Sequence, residues 1–178
     1  MRVLTVAMTA MLVAACGGAD SSSGSNNNQT GNPTPCTITA SGAGTGTLDC
    51  GTPAAAYDSS KNQGSFGIGA GNSSSTNTAL IIIAYPAAPH AGSVLKSTDA
   101  GAQGSFAVNL GGHYFSAVAG STTASENQGS YTLNLSSVTT TASANGGSLY
   151  AVHGTLDATL LAVPSSGATG TVTLHTTF

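Results

Sequence analysis

From Cys36 to Phe178 no stretch of the chain places apolar residues at helical spacing. Short runs rich in Val, Ile, Thr, Tyr and Phe recur instead between clusters of Gly, Asn and Ser, which is the pattern of strands cut by turns. This region is therefore expected to be all-β, an antiparallel β-sandwich, with an up-and-down or lipocalin-like β-barrel as the alternative. At about 140 residues it holds enough material for one core, and residues 36–178 are read as a single domain.

The pattern predicts strands at Cys36–Ala40, Gly46–Asp49, Ser65–Ala70, Thr78–Tyr85, Ser105–Leu110, His113–Ala119, Ser130–Ser136, Ser148–Val163 with a bend near Gly154, and Gly170–Phe178. The run Leu80-Ile81-Ile82-Ile83 lacks alternation and predicts a central strand covered on both faces. Asn62-Gln63-Gly64-Ser65-Phe66, Ala102-Gln103-Gly104-Ser105-Phe106 and Asn127-Gln128-Gly129-Ser130-Tyr131 are near copies of one phrase. Their uneven spacing does not fit a fixed-period array, so they predict strand starts of similar geometry, with the glycine in a left-handed turn or bulge and the aromatic opening the buried face.

The last two strands can be placed against each other. Tyr150, Val152, Leu156, Ala158 and Leu160 share one face, as do Val172, Leu174 and Phe178, and the register must keep these faces together. Centring the turn on Ser166 sets Leu160 opposite Val172 and Ala158 opposite Leu174. The other face then puts Asp157 across from His175 and Thr159 across from Thr173.

Chemical candidates are few. His90, His113, His153 and His175 stand singly, without the spacing that seats two imidazoles on one metal, so no metal site is expected. His153, His175 and Asp157 fall on one inferred face and are the weak catalytic candidates, with Thr155 and Thr173 as nearby hydroxyls. No G-x-S-x-G elbow exposes a nucleophile and no carboxylate pair suggests glycoside hydrolysis. Gly67-Ile68-Gly69-Ala70-Gly71 has no helix after it to complete a phosphate cradle and reads as backbone at a strand end. Asp49, Asp58 and Asp99 sit in turn-like contexts. A carbohydrate-binding face would show exposed aromatics, but the chain has no Trp, and Tyr57, Tyr85 and Tyr114, the candidates outside the strongest core alternations, are expected to pack in the core or at its rim. Nothing calls for a cofactor. With only 5% of residues charged and no Lys or Arg cluster, nucleic acid is excluded as a partner, and a polybasic lipid-binding patch is excluded with it.

The N-terminus carries an address. Arg2 precedes the apolar run Val3–Ala15, which is too short to span a bilayer and ends in Leu12-Val13-Ala14-Ala15-Cys16. This resembles the signal peptide and lipobox of bacterial lipoproteins. The resemblance implies that residues 1–15 are removed, that Cys16 is lipidated, and that the chain is anchored in the membrane of the cell envelope through its acyl chains. Gly17 rather than Asp after the cysteine implies the outer membrane. The segment Tyr131–Phe178, with Gly154-Thr155-Leu156-Asp157-Ala158-Thr159-Leu160 and Gly170-Thr171-Val172-Thr173-Leu174, is similar to the ends of uncharacterised β-rich bacterial lipoproteins, which implies fold class alone.

Assigning Cys16 to lipid leaves Cys36 and Cys50, an even pair in an exported chain, and predicts a bridge between them. Residues 17–35 have almost no apolar side chain to bury and are expected to be a disordered tether with a reach of roughly 25 Å. The expected function is that of a lipid-anchored, non-catalytic envelope domain with a structural or binding role. The alternatives are a hydrolase or metal-dependent enzyme using converging histidines, and a lipocalin-like carrier with an apolar cavity.

Overall fold

The computed structural model describes residues 36–71, 76–120 and 129–178. The signal, Cys16, the tether and the Asn127-Gln128 pair lie outside the described residues. The chain is all-β and antiparallel, as the pattern predicts. Its strands are β1 (Thr37–Gly42), β2 (Gly46–Asp49), β3 (Ala54–Asp58), β4 (Gln63–Ala70), β5 (Thr78–Tyr85), β6 (Val94–Lys96), β7 (Gln103–Leu110), β8 (His113–Ala119), β9 (Ser130–Ala144), β10 (Gly147–Ala162) and β11 (Thr171–Thr177). A short 3-10 turn, Pro164–Ser166, joins β10 to β11 and ends at Gly167 in the left-handed conformation.

Neighbouring strands follow the order β2-β1-β11-β10-β3-β4-β5-β7-β8, with β9 on β10 and β6 on β9. Leu161 and Ala162 at the end of β10 pair with Ser116 and Phe115 of β8, which returns the path to β10. The sheet thus wraps around one core, and the walls of the expected sandwich are joined by hydrogen bonds. β10 is its seam: β3 and then β11 occupy one edge, β9 and then β8 the other.

The interior follows from alternation. Ile38, Ile81, Ile83, Leu133, Leu156, Leu160 and Val172 all point inward and are fully buried, each removing enough apolar surface from water to contribute about 1.5–3 kcal/mol. Phe178 packs its ring on Phe66 at 5.1 Å, and Phe106 meets Tyr131 at 5.7 Å. Thr176 is the buried polar residue of β11, and its hydroxyl donates to Cys36 Sγ at 3.7 Å, because that sulfur is held in a disulfide and has no proton to give. The bridge joins Cys36 to Cys50 across 5.2 Å between Cα atoms, the pairing that the cysteine count predicts.

Tyr131 carries an unmet demand. Its hydroxyl is buried without a hydrogen-bond partner among the described residues, and burial, helped by the nearby Asp99 charge, pushes it up to about 12. Tyr131→Phe removes the orphaned oxygen and keeps the ring. It should raise the urea midpoint by an amount equivalent to about 1 kcal/mol, and a drop would show that the hydroxyl is satisfied.

The structure departs from the sequence pattern at several strands. β5 is central between β4 and β7, yet Leu80 is 55% and Ile82 39% exposed while Ile81 and Ile83 are buried. The expectation that both faces are covered fails because, among the described residues, no layer lies outside the wall at β5: the sheet encloses its core with one face and turns Leu80 and Ile82 outward on the other. β3, β6 and the second half of β9 were not predicted. Ala54-Ala55-Ala56 carries little strand propensity, β6 is three residues long, and Ser137–Ala144 has no alternation.

The repeated phrase also divides. Gly129 is left-handed at φ +91°, as expected, but Gly64 and Gly104 are extended residues inside β4 and β7. There the glycine makes room for a ring: a β-carbon at Gly64 would collide with Tyr85, and one at Gly104 with Phe106 and Tyr131. The Gly67–Ala70 run closes β4, as the predicted strand Ser65–Ala70 has it, and the strand stops at Gly71 with φ +93°.

Candidate functional site

The register between β10 and β11 is the one that alternation dictates, with Leu160 opposite Val172, Ala158 opposite Leu174, Asp157 opposite His175 and Thr159 opposite Thr173. The outward pair meets: His175 Nδ1 lies 2.7 Å from Asp157 Oδ1. Since a carboxylate can only accept, the Nδ1–H donates and Nε2 is the ring nitrogen left for other contacts.

β1 lies on the far side of β11 and completes a row that sequence spacing does not suggest. Thr39 is directly opposite His175, and Thr47 of β2 is directly opposite Thr39. The row therefore reads Asp157, His175, Thr39, Thr47 across β10, β11, β1 and β2. Thr155 and Thr173, the hydroxyls that the sequence suggests, are each one row away. The flanking rows carry Thr155, Thr177, Thr37 and Asp49 on one side, and Thr159, Thr173 and Ser41 on the other. A hydroxyl, an imidazole and a carboxylate in this order have the chemical members of a nucleophile, base and acid.

Their setting does not suit catalysis. The side chains of His175 and Asp157 are 57% and 54% exposed, so water competes for every proton and hydrogen bond they make. The row lies on the outer face of a wall, at the exposed positions of its strands. Such a cross-strand pair contributes about 0.2–1 kcal/mol to the sheet.

The other histidines are elsewhere. His153 faces outward on β10 opposite Ser137, four positions before Asp157, a spacing of about 13 Å along a strand. The expected trio is therefore a pair plus a remote residue. His90 turns its Nδ1 to the Ala91 carbonyl at 3.1 Å, and His113 starts β8. Among the described residues, no three side chains of the His, Cys, Asp and Glu types gather as a metal site would need. The interior holds packed side chains where a lipocalin-like carrier needs space.

The turn aspartates act locally. Asp99 accepts the Lys96 N–H at 2.7 Å. Asp58 accepts from Ser60 N–H at 2.9 Å and from its hydroxyl at 2.6 Å, with Lys61 Nζ at 3.1 Å. The Ser60 hydroxyl, followed by Lys61, holds the Asp58 carboxyl at about 2 against an ordinary 3.8. What this turn adds to stability is complete above pH 3.8 and is lost as pH falls through about 2. A carboxyl-carbon NMR titration should find that midpoint in the native protein and should see it rise in Ser60→Ala; an ordinary midpoint would contradict the turn.

The tyrosines separate. Tyr85 is in the core, and burial raises its hydroxyl well above the usual range. Tyr57 is half-buried and donates its hydroxyl to Asn62 Oδ1 at 2.9 Å. Tyr114 is 51% exposed, contrary to the expected packing, because it takes the outward position on β8. No family model, curated protein or solved structure matches the chain.

Proposed function

We propose that this chain is a lipid-anchored, non-catalytic domain of the bacterial cell envelope, held at the outer membrane through Cys16 and serving as a structural or binding module. The observation that carries the non-catalytic part is the filled interior, with the chemistry-bearing side chains distributed over the outer wall. Buried aliphatic and aromatic residues form a single core cluster, and the paired Asp157 and His175 face solvent. The anchor draws on cysteine arithmetic. The Cys36–Cys50 bridge takes two of the three cysteines and leaves Cys16, placed directly after Leu12-Val13-Ala14-Ala15.

Mass spectrometry of the mature N-terminus tests the anchor. The expected species begins at an acylated Cys16; an unmodified Cys16 or cleavage elsewhere would overturn it. Ester hydrolysis tests the other part. Wild type and His175→Ala should both stay at the buffer rate, whereas turnover by wild type that His175→Ala abolishes would make the chain a hydrolase.

A further inference from the structure

A shallow, open cleft of about 460 Å³ lies where the β9–β10 turn meets the end of β3. Tyr57, Ser59, Ser143, Asn145, Ser148 and Tyr150 line it. Ser148 is directly opposite Tyr57, and Tyr150 is opposite Ala55. The two tyrosines are therefore diagonal neighbours on one face, with their Cα atoms about 7–8 Å apart.

The walls are set in place before any ligand arrives. Asn145 and Gly146 hold positive φ values of 51° and 81°, the requirement of a tight two-residue hairpin turn. Ser59 N–H donates to the Gly146 carbonyl at 2.9 Å and fixes the turn against β3. Ser143 and Ser148 share a hydroxyl hydrogen bond at 3.0 Å, and Asn62 orients the Tyr57 ring through its hydroxyl.

The lining selects a chemistry. Among the described residues no charged side chain lines it, so a phosphate or carboxylate would find no counter-charge there. Hydroxyls and an amide interrupt the apolar surface, so an acyl chain would leave polar groups unpaired. Two half-buried tyrosines beside serine and asparagine suit a molecule that is apolar on one face and hydroxylated at its edge, which describes a pyranose ring.

We infer that this cleft is a binding site for a neutral saccharide. The inference rests on the non-catalytic reading above and is independent of the anchor.

The test is NMR shift mapping of the purified protein with maltotriose, cellotriose and triacetylchitotriose, each raised to about 10 mM. At least one should give saturable shifts at Ser59, Asn145, Ser148 and Tyr150, with the sugar recovered intact. Tyr57→Ala should weaken that binding about tenfold. Ala88→Trp, which fills the cleft from an exposed position, should abolish it in a protein that still folds. No saturable shift with any of the three, or shifts centred on another face such as Tyr114, would overturn the site. Cleavage of the sugar would instead overturn the non-catalytic reading and leave the cleft as its binding site.

Discussion

Gly154→Ala should destabilise the domain by about 3 kcal/mol, lowering the melting temperature by roughly 6–12 °C. Gly154 stands where β10 changes neighbours. Its N–H donates to the Phe178 carbonyl at 2.8 Å and its own carbonyl accepts the Phe178 N–H at 3.0 Å, while a register shift against β9 falls between it and His153. The shift brings the Asn134 carbonyl into the space a β-carbon would fill. That oxygen belongs to the backbone of β9, so relief requires moving a strand and not a side-chain tip. Gly69→Ala is the matched control, because a β-carbon there meets nothing within 4 Å. It should stay within about 0.5 kcal/mol of wild type or gain slightly, as the unfolded chain loses freedom. Equal melting of the two variants would show that β9 and β10 do not approach closely at Gly154.

Removing the disulfide should cost a similar amount by another route. Cys36 and Cys50 close a loop of sequence separation 14, for which restriction of the unfolded chain contributes on the order of 3 kcal/mol. The double variant Cys36→Ser/Cys50→Ser should therefore unfold at a clearly lower urea concentration with little change in slope. A midpoint unchanged from wild type would mean that the β1–β2 hairpin holds its ends together without the bond. Reduction of the wild type should reproduce the variant, which separates loss of the covalent link from any effect of the serines.

How much of this was legible depends on where each piece of information resides. The β10–β11 register could be read because both strands alternate and a short turn joins them, so one choice satisfies every buried position from Leu156 to Leu174. Asp157 and His175 came with it. Thr39 did not, because β1 reaches β11 from the opposite end of the chain and nothing in either segment names its partner. The Leu80–Ile83 run misled for a related reason. An aliphatic side chain fits an outward strand position as readily as an inward one, and only the closed path of the sheet reveals that no second layer among the described residues covers Leu80 and Ile82. The cleft beside Tyr57 was beyond reach because β3 reads as three alanines followed by a turn. Once β3 is paired with β10, Tyr57 and Tyr150 come together.

The bridge at the start of β1 also bears on how the domain would withstand a pull. If Cys16 is fixed in a membrane, tension along the chain enters the fold at Cys36. Without the bridge it would peel β1 from β2 and β11 one hydrogen bond at a time. With it, tension passes through sulfur to Cys50, which is paired with Ala70 of β4 and whose N–H donates to the Cys36 carbonyl at 3.0 Å. β4 is hydrogen-bonded along its length to β5. A tug at the leash is thus shared by both sides of the wall, and the first strand is not left to yield alone.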